Sequence, residues 1–247
     1  MLFLAIDLGS TNTKAALYDE HMRRLSTQSV PLTYLREDGF VEFDPNAYLN
    51  DLLELIRSLF ASGGTDPREL ISITLTGQAE SLLVLDASGR PLMNAISWMD
   101  ERSQAECAEL EAAFPGETCY AHTGQPAALP TWPATKILWL RKHRPEVFSA
   151  AAHYVLLKDY IVYRLTGSLA ADCSIATFSF YFDIYERRYW PEMLAYLGIR
   201  ETQLPPLAEP CKPAGTLLPE LADTLGLPTD VAVNRGTLDH FCGMIGT

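Results

Sequence analysis

The sequence predicts an α/β domain with a mixed β-sheet flanked by helices, and three observations carry that expectation. The first is the opening stretch Leu2 to Tyr18, LFLAIDLGSTNTKAALY, which reads as a buried strand, a tight polar turn and a return strand. The second is Asp44-Pro45, an N-cap and first-turn pair opening a helix with Tyr48, Leu52, Leu55, Ile56 and Leu59 on one face and Gly63-Gly64 at its end. The third is Leu70 to Thr76, LISITLT, a β-branched run that follows a helix as a central strand does.

The chain has 247 residues, 48% hydrophobic, with a formal net charge of −12. That length allows one large domain or two small ones and a sizeable core. The acidic balance argues against nucleic acid or an anionic membrane as partner, so any phosphate site must be local. Cys107, Cys119, Cys173, Cys211 and Cys242 lack C-x-x-C or His/Cys spacing, so neither a zinc site nor a disulfide framework is expected. They are read as buried reduced thiols of a cytoplasmic protein. No secretory signal is expected, because Asp7 interrupts the first apolar run, and no apolar run approaches membrane-spanning length.

Taken in order, Arg24 to Leu35 alternates as a further strand, Glu37-Asp38-Gly39 turns, and Val41-Glu42-Phe43 precedes the first helix. The central strand delivers Gly77-Gln78-Ala79-Glu80-Ser81, and a hairpin then runs from Leu82 to Ile96 across Asp86 to Gly89. Asp100 is expected to cap the next helix. After a stretch broken by Pro126, Pro130 and Pro133, Ala134 to His143 is helical, and Pro145 opens another short helix. Tyr154 to Leu157 reads as a short strand, Asp159 to Leu165 as a helix closed by Gly167, and Asp172-Cys-Ser174 as a helix cap. The aromatic stretch Tyr181 to Trp190 is assigned to packing, two helices with Pro-rich joints follow it, and Val231 to Val233 is a last short strand.

In the first turn, backbone amides and the hydroxyls of Ser10, Thr11 and Thr13 can converge on an anion, Gly9 allows close approach, and Lys14 adds a point charge. Asp7 stands where a carboxylate could hold a hydrated Mg²⁺ beside that anion. The plain alternative is an ordinary hairpin turn. The pattern is neither G-x-x-x-x-G-K-[ST] nor G-x-G-x-x-G. Ligand groups in open α/β sheets gather at strand C-termini, which makes Gln78 and Glu80 candidates for binding a polar substrate through its hydroxyls. Trp98 is a candidate apolar wall facing a sugar. The last strand leads into Asn234-Arg-Gly-Thr-Leu-Asp239, placing another carboxylate at a Gly-bounded turn that opens a helix. The chain stops a few residues on, so a piece of a longer protein is expected.

With Asp7, Gln78, Glu80 and Asp239 all at strand ends, the sequence resembles the N-terminal half of the FGGY carbohydrate kinases, of the ribonuclease-H-like, actin-like ATPase superfamily. Asp7-Leu-Gly-Ser-Thr-Asn12-Thr-Lys14 is similar to the family's first phosphate loop, and Gly77-Gln78 with Glu80 to its substrate turn. Trp98-x-Asp100-x-Arg102, Lys136-Ile-x-Trp139-Leu, Lys158-Asp-Tyr, Leu165-Thr-Gly167 and Asp172-x-Ser174 continue the likeness along essentially the whole chain. Thr131 departs from the family's first signature.

The resemblance implies transfer of the γ-phosphoryl group of ATP to a hydroxyl of a small sugar or polyol. Asp239 would be the base, Asp7 would hold Mg²⁺, Gly9 to Lys14 would face the phosphates, and Gln78, Ala79, Glu80, Trp98 and Asp239 would meet the substrate. Ala79 stands where glycerol kinases carry Arg and xylulokinases Met, which points away from glycerol and toward a pentulose such as xylulose. Thr237, Leu238 and His240 change the usual surroundings of the base. Residues 1–247 would form the sugar-binding lobe, the adenosine-binding lobe being absent, so the isolated chain should be inactive. A homodimer is an expected assembly. The competing readings are an actin- or Hsp70-like interaction module and a non-catalytic sugar sensor.

Overall fold

The computed structural model describes residues 1–246, and its first layer grows from the opening hairpin. Strand β1 (Leu2–Leu8) buries alternate residues Leu2, Leu4, Ile6 and Leu8. It pairs antiparallel with β2 (Asn12–Asp19), in a register that sets Asp7 opposite Lys14 and Leu8 opposite Thr13. The expected strand from Arg24 to Leu35 is instead two: β3 (Arg24–Pro31) on the edge of this sheet and β4 (Leu35–Glu37), which joins β5 (Phe40–Phe43) in another. Pro31, which has no N–H to give to a ladder, marks the break.

Helix α1 (Pro45–Gly63) starts where the Asp44 carboxylate accepts the Asn46 amide at 2.8 Å, and ends at left-handed Gly64. Its face of Tyr48, Leu52, Leu55, Ile56 and Leu59 is buried against β2 and β3. Truncating a fully buried member such as Leu52 costs about 2–5 kcal/mol by general experience. Strand β6 (Leu70–Gly77) then lies parallel to β1, with Asp7 beside Thr76 and Leu8 beside Gly77.

The chain leaves this sheet through residues 78–81 and builds a second one from β7 (Leu82–Leu85) and β8 (Ala95–Ile96). Helices α2 (Gln104–Ala113), α3 (Gly116–Thr123), α4 (Pro133–His143) and α5 (Pro145–Ala150) follow, then β9 (His153–Leu156) and α6 (Leu157–Thr166). Next come β10 (Ala171–Asp172), the one-turn α7 (Cys173–Ala176) and the small hairpin β11 (Phe182–Asp183) and β12 (Arg188–Tyr189). Helix α8 (Pro191–Leu197), β13 (Leu207–Ala208), β14 (Pro213–Thr216), α9 (Pro219–Leu225), β15 (Ala232–Asn234) and α10 (Asp239–Gly246) complete the described chain.

The main sheet has the order β14-β15-β6-β1-β2-β3, with β1, β6 and β15 mutually parallel. The second is the antiparallel β4-β5-β8-β7-β9. One apolar core is shared by the two sheets, with Leu4, Ile6 and Ile73 of the main sheet beside Leu83, Leu85 and Val155 of the second; another covers the opposite face of the second sheet, and α6 packs against strands of both sheets. The three parallel strands all point the same way, so their ends deliver residues 7–8, 77–80 and 235–239 to one rim. Close backbone approach there fixes two glycines: a Cβ on Gly77 would fall 2.6 Å from the Leu8 Cβ, and one on Gly236, whose φ is +62°, would overlap the Leu75 carbonyl oxygen.

Two expectations need correction. Asp100 does not cap α2, whose N-cap is Ser103. It is wholly buried, accepts the Val41 amide at 2.6 Å, and forms a double contact with Arg102 at 2.8 and 2.7 Å. The Arg102 guanidinium is sandwiched between Phe40 and Trp139, and a cation so enclosed needs the carboxylate more than the helix does. The cysteines are all free, but only Cys107 and Cys119 are buried and Cys211 is exposed. The aromatic stretch is packing as expected, with Tyr181, Phe182, Tyr189 and Trp190 buried.

Candidate active site

Asp7 is half-buried at the end of β1. Burial raises its pKa, the opposed Lys14 pulls it back down, and Asp239 adds to the rise. The turn itself is Gly9 to Thr11, with Asn12, Thr13 and Lys14 already in β2. A Cβ at Gly9 would come within 2.8 Å of the Asn12 carbonyl oxygen, which is why the turn needs glycine there. Thr11 in the turn and Lys14 at the start of β2 are exposed. Thr13 is not: its hydroxyl donates to the Tyr48 phenol at 2.8 Å, inside the protein. The expectation that Thr13 presents its hydroxyl with Thr11 fails because Thr13 lies within β2, where the pleat turns it inward, opposite to exposed Lys14, while Thr11 belongs to the turn.

At the end of β6, Gln78 is buried and its amide is already engaged. Its Nε2 donates to the Gly9 carbonyl at 3.2 Å and its Oε1 accepts from Ser81 at 2.7 Å. Gln78 therefore ties the substrate turn to the phosphate turn and keeps only part of its amide for a ligand. Glu80 occupies the left-handed region at φ 61°, a strained conformation for a residue with a side chain. Burial pushes its carboxyl up to about 7, against the pull of Lys136 and with the help of Asp239. Trp98 is partly exposed; its indole N–H donates to Ser10 Oγ at 2.8 Å, and its own amide to Ser81 Oγ at 3.2 Å.

These groups meet Asp239 at the start of α10. Ser10, Gln78, Ala79, Glu80, Trp98 and Asp239 line one cavity of about 220 Å³, which Phe178, Leu238 and His240 complete. That is below the roughly 300–1,000 Å³ of drug-sized sites and suits a small polar molecule. A larger groove of about 830 Å³ lies elsewhere, by the β7–β8 connection, but its Arg90 is paired with Asp86 and its Arg164 with Tyr160. It holds none of the strand-end carboxylates.

Lys136 belongs to the Lys136-Ile-x-Trp139-Leu motif, and the structure gives it a role. It is wholly buried in α4, and its ammonium donates to the carbonyls of Glu80 at 3.3 Å, Ser97 at 2.8 Å and Thr131 at 2.9 Å. Burial lowers its pKa to about 7, while Asp100 and Glu80 favour the cation; three accepting carbonyls also favour it. One side chain thus joins the two loops that carry Glu80 and Trp98. A lone lysine within the apolar run of α4 was the signal available. Phe178 gave none, since it reaches the cavity from a segment distant in sequence.

Among the described residues no group of three His, Cys, Asp or Glu side chains is placed to hold a metal. Mg²⁺ needs no such cage, since it binds through one or two carboxylates, water and substrate phosphates. Asp7 stands near enough to Asp239 for that charge to raise its own pKa, and the two carboxylates offer hard oxygen donors of that kind.

A strand order with β1, β6 and β15 parallel, β2 antiparallel, a carboxylate on the first parallel strand and another just beyond the last defines a domain of the actin-like ATPase fold. The sequence matches the FGGY family of carbohydrate kinases, N-terminal domain, over residues 2–246, and the chain belongs to that family. It is 31% identical to the xylulose kinase of Escherichia coli over 246 residues, covering 99% of this chain and 50% of that protein. The xylulose kinase of Bacillus subtilis is 28% identical, with 98% and 48% covered. The crystal structure of xylulose kinase from Rhodospirillum rubrum superposes with a TM-score of 0.93 at 27% identity, over 99% of this chain and 50% of that one. The chain spans about half the length of the curated relatives it matches. No helix among the described residues is long and apolar enough to cross a membrane.

Proposed function

We propose that the protein bearing this chain transfers the γ-phosphoryl group of ATP to a hydroxyl of a small carbohydrate, a pentulose such as xylulose, with Asp239 as base. The observation that carries the reading is the meeting of Gln78, Glu80, Trp98 and Asp239 around one small cavity that also touches Ser10 of the phosphate turn. An actin-like interaction module has no use for that arrangement, and a sugar sensor has no use for the base.

Phosphoryl transfer asks a protein mainly to position in-line partners and offset charge. Asp239 takes the proton of the attacking hydroxyl from within about 3 Å. Glu80 and the free part of the Gln78 amide orient the other hydroxyls, and the Trp98 ring walls one side. The Gly9 to Thr11 turn, with Lys14, faces the phosphates. Asp7, with Asp239 beside it, would hold Mg²⁺, which supplies charge neutralisation on the phosphates of bound ATP. The adenosine side belongs to a second lobe outside residues 1–247, and by this reading the isolated lobe turns over little. A cytoplasmic location, a homodimer, and no nucleic-acid or membrane partner belong to the same reading, the last in keeping with the net charge of −12.

The test is ADP release by the full-length protein with ATP and D-xylulose, D-ribulose, L-ribulose, glycerol or gluconate. Turnover with one pentulose is the expected result. ATP hydrolysis indifferent to every sugar would replace this reading with the interaction module.

A further inference from the structure

Asp239 is held almost entirely through its backbone. Its carboxylate accepts only the amide of His240, the next residue of its own helix, at 2.7 Å, and stands 3.4 Å from that residue's ring; no side chain of another element bonds to it among the described residues. More than a third of the side chain is exposed. Whatever sets its position must therefore act on the peptide that leads to it.

That peptide is fastened at every residue from 235 to 238 by groups outside it: the Gly236 carbonyl accepts the Cys211 amide at 2.6 Å, and the Arg235 amide donates to the Lys212 carbonyl at 3.1 Å. The Lys158 ammonium donates to the Arg235 carbonyl at 2.6 Å. The Thr237 carbonyl accepts from Thr76 at 2.7 Å. Nearest to Asp239, Ser174 makes two bonds: its hydroxyl accepts from the Thr237 hydroxyl at 2.9 Å and from the Leu238 amide at 3.1 Å. It spends its single proton on Asp172 at 2.9 Å, and the other oxygen of Asp172 meets Lys158 at 2.6 Å. One donor and two acceptor sites exhaust what a serine hydroxyl offers. Lys158 and Asp172 have no exposed side-chain surface, so the pair cannot be serving solubility. Asp172 also caps α7 through the Ser174 amide at 2.8 Å, and a cap alone would not require a buried lysine or a hydroxyl turned to another segment.

We propose that Ser174, oriented by the Asp172–Lys158 pair, is a positioning residue that fixes the 235–238 peptide and through it the attack geometry of Asp239. The proposal rests on the reading of Asp239 as base. An ångström of misplacement at a reacting group can cost about 100-fold in rate, while a sugar held mainly by Gln78, Glu80 and Trp98 should bind much as before.

The test uses the full-length protein and two measurements on Ser174→Ala and Ser174→Thr. Amide hydrogen exchange over residues 236–241 reads the clamp without any need for activity. Steady-state kinetics with ATP and the best sugar of the panel reads its consequence. For Ser174→Ala the expected result is exchange faster by about tenfold or more. With it, kcat per folded molecule falls about 10- to 100-fold and the sugar KM moves less than about threefold. Ser174→Thr, which keeps the hydroxyl, recovers most of both. Unchanged exchange overturns the clamp, and faster exchange with unchanged kcat overturns its bearing on the base. A wild-type protein that phosphorylates no sugar removes the kinase reading instead, and the exchange result still decides whether Ser174 holds the peptide.

Discussion

The two walls of the cavity each rest on a buried lysine, and the two lysines are held differently. Lys158, behind the Asp239 wall, faces a carboxylate and one carbonyl. Lys136, behind the Glu80 and Trp98 wall, donates to three carbonyls. The first wall is a single peptide at the mouth of a helix, and an ion pair anchors it at one point. The second is two loops brought together from different parts of the second sheet, and an ammonium with three donors can fasten both at once. Where a wall must be pinned, charge pairing serves; where loops must be joined, a bare ammonium with carbonyl acceptors serves.

Breaking the ion pair should have the largest effect on stability. Lys158→Met leaves Asp172 buried and uncompensated, for a loss of about 3–5 kcal/mol. That corresponds to a Tm lower by roughly 6–20 °C in a domain of this size, readable by calorimetry. Lys136→Met strands carbonyls but no charge, so a smaller loss of roughly 1–3 kcal/mol is expected; a loss equal to that of Lys158→Met would erase the distinction between the two walls.

Glu80 sharpens the comparison through pH. Its carboxyl keeps a proton up to about 7 in the folded chain, against an ordinary value of 4.5. The unfolded state therefore binds fewer protons between those values, and this group's contribution to stability is present below pH 4.5 and lost as the pH rises through about 7, at most about 1.4 kcal/mol per unit. Glu80→Gln should flatten that decline in a urea-unfolding series across the window. The smallest effect is Trp98→Phe, which keeps a ring in the wall but deletes the hydrogen bond to Ser10. A loss of about 0.5–1.5 kcal/mol is expected, measured by urea unfolding.

Much of this site could be read from the chain because it stands on strand ends. Asp7, Gln78, Glu80 and Asp239 each follow an apolar run whose length and pattern mark a strand, and parallel strands bring such ends together whatever lies between them. What escaped depends on direction or distance. Thr13 reads as a loop residue from its polar neighbours but lies in β2, where the pleat turns it toward Tyr48. Asp100 has the local look of a helix cap, and only the folded chain shows Arg102 and the Val41 amide closing on it. Ser174 and Asp172 were likewise visible as a cap, while their partners stand 64 residues later and 14 residues earlier. No local pattern records such pairings.

The central claim is that Asp239 is the base of a sugar kinase, and replacing it by its uncharged isostere tests that most directly. In the full-length protein with ATP and D-xylulose, Asp239→Asn should lower kcat by about 10²–10⁴-fold while the sugar KM stays within a few-fold. A variant that turned over at the wild-type rate would contradict the account, and Asp239 would then be no more than the first residue of its helix.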